Sequence, residues 1–298
     1  MSLSSDENED NDYVLKQLRT NTSTKKIAEY RIGARDLAQE AETLSSIVHE
    51  NIIKFHGVFT DGGNSLVLEK LHCTLSERIK SWREEESAYK KGVFPRKYPS
   101  LGNSKYQEMF LERLQVACGI AEGLKYLHEY NIMHRDLKPD NIGFDYLGEV
   151  KIFDFGLAKK FQLKTERRPT GLVGTMRYMA PEIAKCKIYG LEADIYSYGI
   201  LLWGILTLRQ PFGKLKKREF QEKVLYGNLR PKISSSWSEL LIDLMKRCWT
   251  QVPSDRPKMD EILTNLYKES KTPNFCTDEE KGGKIIKAQM WRRRSFFL

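Results

Sequence analysis

The first glycine of this chain is Gly33. Ahead of it stand an acidic run (Asp6, Glu7, Glu9, Asp10, Asp12) and one short apolar stretch, Tyr13-Val14-Leu15. That excludes a glycine-rich turn in the front segment, because close backbone approach to a ligand there needs glycine. The 5 cysteines (Cys73, Cys118, Cys186, Cys248, Cys276) are scattered, odd in number and never spaced C-x-x-C, which excludes a disulfide framework and a zinc site. No long apolar run occurs. The longest, Ile195 to Leu208, is too short for a bilayer, which needs about 20 residues, and reads as a buried core helix. Nothing apolar follows Met1, so no signal peptide is expected. The chain reads as reduced, soluble, intracellular and cytoplasmic, with no transmembrane segment.

What is present is ample core material. Apolar residues make up 40 % of the 298 residues and aromatics 11 %. The net charge of +9 is read as solubility plus a basic tail. Lys and Arg are mixed with Asp and Glu through the body of the chain, so the localised stripe wanted by a nucleic-acid surface is missing and no nucleic-acid partner is expected.

Along the chain, residues 1–12 are expected to be disordered. Tyr13 to Leu18 reads as a strand, 19–32 as a polar loop and 34–48 as a helix, with Leu37, Ala41, Leu44 and Val48 on one face. Strands are expected near Phe55–Phe59 and Ser65–Glu69, joined by an Asp61-Gly62-Gly63-Asn64 turn. Charged residues with Gly92, Pro95, Pro99 and Gly102 make 83–106 an inserted surface loop. Helices follow at 107–129, 191–208, 217–226, 236–248 and 258–268, the second of them apolar all round.

Three blocks carry the chemistry: His134-Arg135-Asp136-Leu137-Lys138-Pro139-Asp140-Asn141, then Asp154-Phe155-Gly156, then Gly174-Thr175-Met176-Arg177-Tyr178-Met179-Ala180-Pro181-Glu182. In order and spacing they resemble the catalytic, metal and substrate loops of eukaryotic protein kinases. The resemblance runs over roughly 13–268. It implies an α+β, two-lobed fold: a truncated N-terminal lobe at 13–71 (a short antiparallel sheet plus one helix) and a mainly helical C-terminal lobe at 72–268. A basic tail, 269–298, lies beyond.

The resemblance implies transfer of the γ-phosphoryl group of Mg-ATP to a protein serine or threonine hydroxyl. Phosphoryl transfer asks for an aligned hydroxyl and neutralised phosphate charge. Asp136 is placed to accept the hydroxyl proton and Lys138 to neutralise the moving group. Asn141 and Asp154 offer hard oxygen ligands to Mg²⁺. Glu40, at the edge of the helical stripe, is expected to pair with a strand lysine. Lys16 in Tyr-Val-Leu-Lys is preferred for that role over Lys25 and Lys26, which sit in Thr-Ser-Thr-Lys-Lys. The His49-Glu50-Asn51-Ile52 block fits the family's connection out of this helix. Leu68-Glu69-Lys70-Leu71 matches the hinge, where backbone groups of Glu69 and Leu71 would meet the adenine edge. Gly143 stands where the family places a leucine beneath the adenine, so Ile142 or Phe144 would have to fill that floor. Arg135 is a candidate receiver for a phosphate on Thr165 or Thr170, while Thr175 is read as facing the substrate. Glu182 with Arg256, and Asp194 beside the catalytic loop, are read as structural.

Lys138 and the Gly174–Glu182 block are of serine/threonine type. Tyr196 to Trp203 and Cys248-Trp249-Thr250 resemble the tyrosine-kinase-like branch, which leaves dual specificity open. The departure is at the front. The family's glycine-rich loop before the lysine strand is not seen, which would leave that strand as a sheet edge. An alternative reading is therefore a pseudokinase, a non-catalytic binding or scaffolding module. In the tail, Arg292-Arg293-Arg294-Ser295 looks like a basophilic kinase site, and its basic-aromatic mix suggests weak contact with an acidic membrane surface.

Overall fold

A computed structural model describes residues 12–17, 24–60, 65–91, 101–160 and 173–271, with backbone alone at 24–32 and 101–104. The acidic start, the 61–64 turn, Thr165, Thr170 and the tail from 272 lie outside the described residues.

The first lobe is a three-stranded antiparallel sheet and one long helix. Strands β1 (Tyr13–Gln17), β2 (Phe55–Phe59) and β3 (Ser65–Glu69) lie in the order β1-β3-β2, with Lys16 opposite Leu66. Among the described residues β1 is therefore an edge, as the absence of glycine ahead of Lys16 led us to expect.

Helix α1 spans Thr24–Ser45. It takes in most of the stretch expected as a polar loop, because nothing between Thr24 and Gly33 breaks a helix and one internal glycine costs only about 1 kcal/mol. It stops early at the other end. The hydroxyls of Ser45 and Ser46 donate to the carbonyls of Glu42 (2.9 Å) and Thr43 (2.8 Å), satisfying groups that a further turn would have used. Val48 consequently leaves the apolar stripe and is 85 % exposed, while Leu37 and Leu44 are buried.

The remainder is mainly helical. Strand β4 (Cys73–Thr74) leads into α2 (Leu75–Lys90), whose start is a capping box between Thr74 and Glu77. The stretch expected as a surface loop at 83–106 is corrected here: it holds the second half of α2 and the start of α3 (Leu101–Glu129). Glu86 within it, and the residues flanking it, join the two helices. Arg113 Nη2 donates to Glu86 (2.8 Å), Trp82 Nε1 to Glu112 (3.0 Å), and Arg78 also pairs with Glu112. Trp82, at 0 % exposure, is sealed beneath them.

Beyond α3 come β5 (Ile132–Met133), β6 (Ile142–Phe144), β7 (Val150–Ile152) and β8 (Lys159–Lys160), paired as β4-β6-β7 and β5-β8. The His49–Ile52 connection locks the lobes together. Asn51 Nδ2 donates to Val150 O (3.0 Å), and the backbones of Asn51 and Ile53 bond Ile152. Helices α4 (Pro181–Ala184), α5 (Glu192–Thr207), α6 (Lys217–Phe220, continuing as a π-type turn Gln221–Tyr226), α7 (Glu239–Cys248) and α8 (Met259–Ser270) complete the lobe.

Helix α5 is buried from Ala193 to Leu206. Of the three buried hydroxyls at 196–198, two find partners inside the protein and, among the described residues, that of Tyr196 does not. Ser197 donates to Tyr178 O (2.7 Å) and Tyr198 to Ala117 O (2.9 Å). Among the described residues no helix is long and apolar enough to cross a membrane.

Candidate active site

Two clusters face the junction of the lobes. In the first, Lys16 Nζ lies 2.8 and 2.7 Å from the two Glu40 oxygens and 2.7 Å from Asp154 Oδ1. Lys16 arrives from β1 and Glu40 from α1, whose inner face turns it inward at 0 % exposure. Glu40 also accepts the Phe155 N–H (3.1 Å), which ties α1 to the Asp154-Phe155-Gly156 block. Burial alone would depress the Lys16 ammonium, but the carboxylates of Glu40 and Asp154 outweigh it and hold its pKa above the ordinary lysine value. Lys25 and Lys26 lie in the part of α1 described by backbone alone.

In the second cluster the Asp136 carboxylate is the centre. Lys138 Nζ donates to Oδ2 (2.6 Å) and Asn141 Nδ2 to Oδ2 (3.0 Å). The Thr175 N–H and hydroxyl both donate to Oδ1 (2.7 Å each), and Lys138 also reaches Thr175 Oγ1 (3.1 Å). Thr175, read from sequence as facing substrate, thus holds Asp136 and Lys138 directly. Burial pushes the Asp136 carboxyl up, but the Lys138 and Thr175 hydrogen bonds overcome it and leave the pKa below the ordinary value. Asp136 is ionised at neutral pH. Gly174 permits this approach: its φ is +91°, and a Cβ there would collide with Arg135 O.

The loop bearing Asp136 is held by α5. Asp194 Oδ2 accepts the His134 N–H (2.9 Å) and Oδ1 the Arg135 N–H (3.0 Å), with His128 Nε2 3.1 Å from Oδ2. Arg135 has φ 66° and Asp154 φ 63°, a left-handed conformation uncommon for residues other than glycine. Burial raises the Asp194 carboxyl, but the His128 and backbone hydrogen bonds dominate and depress its pKa. A depressed folded-state pKa gives stability that is present above the unfolded value, about 3.9, and lost as pH falls through the folded value. The stability gap between wild type and Asp194→Asn should therefore shrink as pH falls below about 4. Denaturant melts across that pH check this, and a gap independent of pH contradicts it.

The other residues fall as follows. Arg256 Nη1 and Nη2 grip the Glu182 oxygens (2.6 and 2.9 Å), and Nη1 also donates to Glu192 O (2.8 Å). Arg135 donates to Leu157 O (2.5 Å) and the Tyr189 hydroxyl (3.3 Å). At the hinge, the Glu69 N–H donates to Lys54 O (3.0 Å), Lys70 N–H to Asp12 O (3.0 Å), and Leu68 is buried.

The floor expected from Ile142 or Phe144 is corrected. Alternate strand residues face opposite sides, so neither can replace a side chain at Gly143, and both are buried on the far face. Leu71 fills the space instead: a Cβ on Gly143 would stand 2.6 Å from Leu71 Cδ1. No single-residue pattern announces this exchange between a strand and the hinge.

Among the described residues no trio of His, Cys, Asp or Glu assembles as a metal site. A divalent ion here would rest on the smaller hard-oxygen set of Asn141 and Asp154. Asn141 commits its amide nitrogen to Asp136, through Asp136 O (2.8 Å) and Oδ2, which leaves its carbonyl oxygen as the donor. One amide oxygen and one carboxylate suit Mg²⁺ carried on phosphates.

These features agree with comparisons to known proteins. The model of the protein kinase domain matches residues 3–268. Serine/threonine-protein kinase STY17 of Arabidopsis thaliana is 34% identical over 234 residues, 78% of this chain and 37% of that protein. Dual specificity protein kinase shkC of Dictyostelium discoideum is 33% identical over 232 residues, 76% of this chain and 42% of that protein. Serine/threonine/tyrosine-protein kinase HT1 of Arabidopsis thaliana is 38% identical over 156 residues, 52% of this chain and 39% of that protein. The chain spans about two fifths of the length of these relatives. On the family match and the fold, this chain belongs to the protein kinase family.

Proposed function

We propose that the chain transfers the γ-phosphoryl group of Mg-ATP to a serine or threonine hydroxyl of a protein. The observation that carries this reading is the Asp136 carboxylate, ionised and aimed by Lys138, Asn141 and Thr175. Its lowered pKa suits orientation of the hydroxyl and late acceptance of its proton, as a loose phosphoryl-transfer transition state requires. Lys138 sits beside it as a cation for the transferring group. Asn141 and Asp154 would hold Mg²⁺, which would neutralise phosphate charge. Lys16, fixed by Glu40, would steady the nucleotide's phosphates, and the backbone of Glu69 and Leu71 its base. Arg135 would accept a phosphate from the activation segment, and 13–268 would act as one catalytic unit. The relatives' names include dual-specificity kinases, so tyrosine acceptors belong in the assay.

Phosphate transfer from ATP to a general protein acceptor should appear with Mg²⁺ and vanish with chelator. No transfer under either condition overturns the proposal. Lys16→Met should weaken Mg-ATP binding about 10- to 100-fold, the worth of a charge-assisted contact, measured as the nucleotide concentration needed for thermal stabilisation. A value equal to wild type removes Lys16 from the site.

A second reading, a non-catalytic scaffold, draws on the edge position of β1 and on Leu71 packed over Gly143. Stabilisation by Mg-ATP together with turnover excludes it; stabilisation without turnover supports it.

A further inference from the structure

A cavity of about 760 Å³ opens beside Asp136, walled by α2, the catalytic loop, the 175–178 segment and the turn after α5. Thr175, which bonds the Asp136 carboxylate, forms one edge of it. Its apolar floor includes Ile79, Tyr178 and Phe220. Four cations line it, Arg83, Arg177, Arg209 and Lys217, against one carboxylate, Asp140, which already accepts a hydrogen bond from Ser76 (2.9 Å).

None of the four cations is ion-paired among the described residues. Two of them instead bond main-chain carbonyls. Arg83 Nε and Nη2 both donate to Leu208 O (3.1 and 2.7 Å), and Arg177 Nη1 donates to Pro211 O (3.1 Å) and Phe212 O (2.9 Å). These bonds clamp both ends of the 208–212 turn, where Leu208 and Phe212 are each held at φ 55°. The turn carries Arg209, which is exposed, as is Lys217 at the start of α6. The carbonyls fix the guanidiniums without neutralising them, so the cavity keeps an unbalanced positive field focused by its low-dielectric walls.

We propose that this cavity selects protein substrates carrying acidic side chains within about three residues of the acceptor hydroxyl. That reach follows from the cavity's breadth of roughly 11 Å, from its volume, against a rise of about 3.3 Å per extended residue. The proposal rests on the reading above that Asp136 receives the hydroxyl proton, since that places the acceptor at the cavity's edge.

The test uses labelled peptides with the acceptor serine changed to alanine, so that binding is read without turnover. Glutamate, glutamine or lysine occupies the flanking positions, and fluorescence anisotropy gives the affinities. The glutamate peptide should bind the whole chain roughly tenfold more tightly than the glutamine peptide, the effect of several weak exposed charge pairs acting together. Added salt should erode the difference. The Arg209→Glu, Lys217→Glu double variant should bring the two affinities together or invert them. Equal affinities in the wild type, or a preference that survives charge reversal, overturn the proposal. Serine versions of the peptides are assayed for turnover in parallel. Acidic preference in binding without turnover supports this inference and counts against phosphoryl transfer. Turnover with no charge preference does the reverse.

Discussion

Replacing Asp136 by asparagine should lower the rate of phosphoryl transfer at saturating Mg-ATP by about 10²–10⁴-fold, the range that a positioned proton acceptor contributes. That is about 3–5 kcal/mol of transition-state stabilisation at 1.36 kcal/mol per decade. The asparagine side chain keeps the shape of the aspartate, and its oxygen can still accept from Thr175. What it loses is the negative charge facing Lys138 Nζ, 2.6 Å away. Its amide N–H₂ would meet a cation where a carboxylate stood, so Lys138 swings away and the acceptor hydroxyl loses both its base and its neighbouring positive charge. Nucleotide affinity should change little, because Lys16 and Asp154 are untouched and Asn141 keeps its bond to the Asp136 main-chain carbonyl (2.8 Å). A variant with wild-type turnover would remove Asp136 from the chemistry. A variant that also fails to bind Mg-ATP would place it in the nucleotide site.

Arg256→Met should destabilise the protein by about 3–5 kcal/mol, the usual cost of orphaning one partner of a buried pair. The Arg256 side chain has 0% exposure and that of Glu182 6%, so neither charge recovers water when the other is removed. The loss goes beyond Glu182: Glu192 O and Thr250 O lose donors at 2.8 and 3.2 Å, and the Tyr196 ring loses a guanidinium at 5.2 Å. At roughly 2–4 °C per kcal/mol for a domain of this class, the melting midpoint should fall by about 10 °C. Arg256→Met combined with Glu182→Met should cost less than the two single changes summed, since no buried charge is then stranded. A midpoint within a degree or two of wild type for Arg256→Met would show that the buried pair is dispensable. Because Glu182 closes the segment that begins at Gly174, the same substitution should also loosen Thr175 and, through it, Asp136.

Sequence and structure agree most closely where a residue's role depends on its neighbours in the chain. The β2 and β3 strands, the fully apolar α5 and the α7 and α8 helices were legible because their periodicities are local. Lys16 could be singled out because it alone among its rivals lay in a strand-forming run. Where the outcome depended on distant partners, reading failed. Residues 83–90 looked like loop because Arg83 and Glu86 are charged, yet their partners are Leu208 O and Arg113. Val48 looked like part of a stripe because its spacing fits, but α1 had already ended in a serine cap. The exchange of Leu71 for a side chain at Gly143 is invisible in sequence, since it joins two segments far apart in the chain. Thr175 was visible as part of a motif, but its grip on Asp136 depends on Gly174 adopting φ +91°.

The Asp194 contacts have one further consequence, for the order in which the protein assembles. This carboxylate bonds main-chain N–H groups at positions 134 and 135, sequence separations of 60 and 59 residues. The left-handed turn at Arg135 therefore has no local sponsor. The loop bearing Asp136 takes its final path only once α5 is in place, and a partner that held α5 apart from that loop would leave Asp136 without its position.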